Sequence, residues 1–215
     1  MRPASHSPLP FRLLTIAAYL LVATTMVAIV AGFHAYFPPD FDAEFLLGRE
    51  RYFWNGYHVA FFTHIVAGPL SLVLGAIVAS ERARTAAPRL HRWLGRVQIA
   101  LLVFGVGPSG LVMAWHAMAS DAATWLAAAT GLALLGALTV VFALAGWRAA
   151  TSRRFDDHRR WMWRTQLLLY SAVVLRMFGG ASEVMGVTSP WQYPVAVWLS
   201  WLAPLATYEL VRRTS

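Results

Sequence analysis

Apolar residues run along this chain in long blocks, without the apolar/polar alternation of a half-buried strand. Six blocks of spanning length fall at about 13–37, 57–79, 93–117, 122–147, 161–178 and 191–211. Each can cross roughly 30 Å of hydrocarbon as an α-helix. The short alternating segments of a membrane β-barrel do not occur. The pattern predicts an all-α membrane protein, a single domain over residues 1–215 built as a bundle of six transmembrane helices.

Composition agrees with the pattern, since 58% of residues are hydrophobic and 13% are charged. Charge then supplies the orientation. All 18 basic residues are arginines, and fifteen of them lie at the termini and in the even connections. Only Arg49, Arg51 and Arg176 lie towards the other side. This bias places both termini in the cytoplasm. The arginine excess is thus a matter of topology and of contact with anionic lipid headgroups on the cytoplasmic side, not of nucleic-acid binding. The first block, about 25 residues long, exceeds the ~7–15-residue core of a cleaved signal and is expected to stay as a span. Cysteine is absent, which excludes disulfides, thiolate metal sites and haem attached through a Cys pair. The outer connection "PPDFDAEFLLGRERYFWNG" opens on a Pro-Pro turn and is expected to continue as a short amphipathic surface helix.

Candidate chemistry rests on polar residues that are costly at these depths. In the second span His64, Gly68, Ser71 and Gly75 share one helical stripe, which suits either close helix packing or a flat cofactor lying against His64. In the third, His91, Gly95, Gln98, Leu102, Gly105, Ser109 and His116 share a face if Pro108 leaves the helix regular. In the fifth, His158, Met162, Thr165 and Arg176 form a stripe whose arginine needs an anion or carbonyls, Glu183 being the nearest acid in sequence. The strings "HRWLGR" and "HRRWMWR" place Arg92, Arg96 and Arg164 with His91 and His158 near helix N-termini. Free N–H groups and guanidinium groups together make an anion site for a lipid phosphate or a haem propionate.

These residues resemble a bacterial family of predicted membrane proteins, domain of unknown function 2306. The likeness lies in His64 with Gly68 and Gly75, in "HRWLGRV", and in "HRRWMWR" with the trailing "VVLR" that ends at Arg176, over residues 57–178. It implies a multi-span protein of the bacterial inner membrane and no particular activity. A looser architectural similarity is to the six-helix b-type cytochromes, which implies His91 and His158 as an inner haem-ligand pair. The fourth span has no histidine, so an outer pair with His64 would have to draw on His116 or His34.

Three functions follow as expectations. One is membrane electron transfer through haem b held by His91 and His158, with Arg92, Arg96 and Arg164 at its propionates and a quinone or a membrane protein complex as partner. A second is a non-catalytic membrane protein: a small carrier, a lipid-interacting module or an assembly factor. A third is a copper or zinc site on the outer side from His34, His58, His64 and His116.

Overall fold

In the computed structural model, residue 20 and residues 23–43, 45–119 and 122–214 are described. The chain divides into two compact units, Met1–Arg49 and Glu50–Ser215. In the first unit a short apolar helix, α1, covers Ala23–Ala35. The rest of the block expected at 13–37 lies partly outside the described residues, as does any cleavage signal in the first residues. The connection that follows turns at a cis Phe37–Pro38 peptide. Its described residues as far as Arg49 are turns and irregular backbone, where the sequence suggested a surface helix.

The second unit contains five helices long and apolar enough to cross a membrane: α2 (Glu50–Ala79), α3 (Pro88–Met118), α4 (Ala123–Thr151), α5 (Phe155–Val184) and α6 (Gln192–Arg213). They match the last five apolar blocks but overrun them, α5 most of all. Hydrophobicity marks where lipid begins, whereas a helix continues until its backbone is capped or broken. Pro88 opens α3 at its first turn, and Asp156 and Asp157 occupy the first turn of α5, both favourable at a positive helix end.

α2, α3, α4 and α5 close a ring in which each packs on its two neighbours, so α3 lies across from α5. α6 lies outside this ring against α4 and α5. The polarity of the packing is that of a membrane bundle. On α2 the stripe Val66, Leu70, Val73 and Ile77 is exposed, while Ala67, Ser71 and Gly75 are buried. Small residues let backbones approach where lipid gives no hydrophobic push between helices. Buried hydroxyls bond their own helix: Ser71 donates to Gly68 O, Thr139 to Leu135 O and Thr165 to Trp161 O. Such bonds remove the cost of carrying a hydroxyl where no water is available.

A π-helical stretch, Leu101–Val106, interrupts α3 ahead of Pro108. The wider turn accommodates a residue that cannot donate a backbone hydrogen bond. It breaks the regular register assumed for His91 through His116. Gln98 and Ser109 nevertheless both reach α2, on either side of the stretch.

Candidate functional site

Polar side chains inside the ring fall into three levels along its axis. The first is at the arginine-rich end. His158 donates from Nδ1 to Gly146 O at 2.9 Å. A carbonyl can only accept, so the neutral ring keeps its lone pair on Nε2. The close approach depends on Gly146, where a Cβ would come within 2.7 Å of Met162 Sδ and 3.3 Å of Trp161 Cβ. His91 stands on α3, the helix across the ring from α5. Its Nδ1 is sealed from solvent and has no hydrogen-bond partner. One turn further on, Gly95 shares the face of the buried Gln98 and Leu102. A Cβ at Gly95 would meet nothing within 4 Å.

The arginines divide. Arg92 and Arg96 are exposed. Arg164 lies well inside α5 and is engaged by α6: its Nε donates to Glu209 Oε1 at 2.6 Å and its Nη2 to Glu209 Oε2 at 3.1 Å. Its guanidinium also sits 4.5 Å over the Trp161 ring. The sequence groups Arg164 with Arg92 and Arg96 at an anion site; in the structure its partner is the Glu209 carboxylate. At that terminus the chain supplies its own anions, with Asp157 pairing Arg154 and Arg160, and Asp156 pairing Arg159. These pairs are solvent-exposed and contribute little to stability.

The second level is a pair of buried amides, two helical turns from the histidines. Gln98 is 1% exposed and Gln166 5% exposed. Gln98 Nε2 donates to Ser71 O at 2.9 Å, which leaves Gln98 Oε1 turned away from that bond. Gln98 Oε1 and Gln166 Nε2 are both buried without a partner. The two side chains meet over Gly75, whose Cβ would fall 3.1 Å from Gln98 Nε2, 3.0 Å from Gln166 Cδ and in overlap with Gln166 Oε1. Gly75→Ala should displace the Gln166 amide and cost about 1–3 kcal/mol, as overpacking of a filled site does. Denaturation in mixed micelles measures it, and an unchanged midpoint would refute the close approach. Gln166 is a residue that the sequence reading does not single out; it closes the polar string Arg164-Thr165-Gln166 ahead of "LLLYSAVVL".

At the third level His64 Nδ1 lies 3.0 Å from Ser109 Oγ, and that hydroxyl donates to Val106 O at 3.2 Å. With the hydroxyl proton committed, Oγ accepts from His64 Nδ1–H, and Nε2 again carries the lone pair. Gly110 lets the ring approach: its Cβ would lie 3.3 Å from His64 Cε1. Arg176 is exposed and donates from Nη1 to Ala172 O at 3.0 Å. The metal cluster expected from His34, His58, His64 and His116 does not assemble: among the described residues no group of three or more His, Asp or Glu is placed to hold an ion. His34 bonds Ala31 O, His58 bonds Phe53 O, and His116 stacks on Tyr52 at 4.7 Å with Tyr57 edge-on at 5.2 Å.

Outside the ring, an open apolar groove of about 520 Å³ runs between α5 and α6, lined by Leu167, Val174, Phe178, Leu199, Pro204 and Tyr208 among others.

The family model described as Predicted membrane protein (DUF2306) matches residues 61–212, and the chain belongs to that family. The match takes in all three polar levels. No curated protein and no solved structure matches the chain.

Proposed function

We propose that this member of the family is an electron carrier of the bacterial inner membrane. His91 and His158 would hold a b-type haem at the arginine-rich, cytoplasmic end of the bundle. One observation carries the reading: two imidazoles on helices that face each other across the ring, one fixed through Nδ1 by Gly146 O so that its lone pair is on Nε2, the other with a buried Nδ1 that has no partner. An Nδ1–H bond to a carbonyl is the usual support of a ligating histidine, because it fixes the tautomer and raises the basicity of Nε2.

When bound, the haem supplies one-electron transfer. The chain's part is ligation, orientation and charge compensation. Gly146 sets the depth of His158 by letting α4 and α5 touch, and Gly95 leaves room on the face of α3 next to His91. Arg92 and Arg96, not held by Glu209, are the cations left to meet propionates. Arg164 holds α6 instead. Arg176 lies about 27 Å along the bundle from His158 by helical rise, and neither it nor His64 has a part in this ligation. The groove between α5 and α6 is where a lipid-borne quinone would approach the helix that carries His158.

The test is an optical spectrum of the detergent-purified protein from iron-replete cells, as isolated and after dithionite. A Soret band that shifts on reduction, is missing in His91→Ala and His158→Ala, and survives in His116→Ala is the expected result. A colourless preparation of the wild-type chain overturns the reading and leaves a non-catalytic membrane protein in its place.

A further inference from the structure

Most polar groups inside the ring are satisfied by their own helices, which makes the exceptions informative. Gln98 Oε1 and Gln166 Nε2 are a bare acceptor and a bare donor in one buried layer. Leaving such groups unmet costs about 1–3 kcal/mol each. A single water suits both, donating to Oε1 and accepting from Nε2.

The space next to this layer has the same character. From Ser71, α2 runs two turns, about 10.5 Å, to His64, and the half-buried Gly68 lies between them on the same stripe. A Cβ at Gly68 would meet nothing within 4 Å. The stretch therefore begins at two unpaired amide atoms, passes an open space at Gly68, and ends at the imidazole of His64 and the Ser109 hydroxyl. Beyond His64 stands Arg176, exposed and strongly hydrated in any environment that lets water reach it.

We propose that the core of the ring, from the Gln98–Gln166 amides to the His64–Ser109 pair, is a water-binding site that opens beside Arg176 at the end of the bundle opposite the arginine-rich one. Its ligand is a short chain of water molecules, anchored at its inner end by the two glutamines and at its outer end by His64. The chain gives protons access to the middle of the bundle and stops there, short of the level of His91 and His158. This site is separate from the ligation proposed above and stands whether or not haem binds.

The chain contains no cysteine, so single cysteines can be placed without removing any native thiol. In the full chain reconstituted in phosphatidylcholine vesicles, Gly68→Cys puts a thiol in the open space and Ser71→Cys exchanges one small side chain for another at the amide layer. Val66→Cys and Val73→Cys place thiols on the exposed apolar stripe of α2. Silver ion, which needs water to reach and ionise a thiol, is the probe. Later labelling of the unfolded protein with a maleimide reads how much thiol remains. Gly68→Cys and Ser71→Cys should be consumed far faster than either control, and adding Gln98→Leu should slow both. If neither core thiol reacts faster than the valine controls in protein that elutes as a folded monodisperse species, the water site does not exist. If only one of the two folds, its rate against the controls decides.

Discussion

Gly107→Ala should destabilise the bundle more than a methyl added at any exposed helical glycine, by about 2–3 kcal/mol, the upper part of the overpacking range. A Cβ at this position would overlap Val140 Cγ2 and lie 2.9 Å from Leu102 O. Neither obstacle yields easily. Val140 is β-branched and stiff about χ1, and Leu102 O accepts the wide-turn hydrogen bond from Gly107 N–H that closes the π-helical stretch. Relief therefore requires either that α3 and α4 move apart or that the stretch rewind. The first loosens a principal helix contact of the ring; the second turns Ser109 away from His64. Gly179→Ala is the matched control. It lies within α5 with nothing within 4 Å of its Cβ, so the methyl should be neutral or should stabilise by about 0.5–1 kcal/mol through helix propensity. Denaturant titration in mixed micelles separates the two. Equal effects at both glycines would mean that α3 and α4 are not in the close contact described.

Much of this arrangement is written locally in the sequence. The last five spans follow from apolar blocks because lipid contact demands apolar side chains on every outward face, as on Val66, Leu70, Val73 and Ile77. The stripe His64, Gly68, Ser71 and Gly75 is legible for the complementary reason, that the inward face is small and polar. What the sequence does not carry is which helices are neighbours. Gln166 joins Gln98 only because α2, α3 and α5 converge on Gly75, and a glutamine at the edge of an apolar run says nothing of its partner. Arg164 was grouped with Arg92 and Arg96 by the likeness of two short strings. Its partner Glu209 lies 45 positions away on another helix, beyond any periodicity. The π-helical stretch is hidden for a similar reason: Pro108 signals that a backbone bond is lost, not how the helix recovers from it.

The second large effect belongs to that hidden pair. Glu209→Leu should destabilise the protein more than Arg164→Leu, and the double variant should be more stable than Glu209→Leu alone. The asymmetry comes from what each substitution leaves behind. Without Arg164, Glu209 retains Arg212 at 3.4 Å. Without Glu209, the Arg164 guanidinium keeps only the Trp161 ring beneath it, at a side chain 16% exposed, where hydration is poor. An unmatched buried charge costs more than the pair contributes. The geometry is two-pronged and partly sheltered, so the coupling should reach about 1–3 kcal/mol, above the exposed pairs at the start of α5. It should also persist at high salt, which screens exposed charges far more than sheltered ones. A double-mutant cycle by micelle denaturation at low and high sodium chloride reads both quantities. Additive single effects, or coupling that vanishes with salt, would mean that the pair does not join α6 to α5. Because α6 packs only on α4 and α5 among its main contacts, losing this clamp should loosen α6 while leaving the ring and its three polar levels intact. The spectrum proposed for His91 and His158 should then survive Glu209→Leu even as stability falls, which separates the residues that hold the helix from those that hold the ligand.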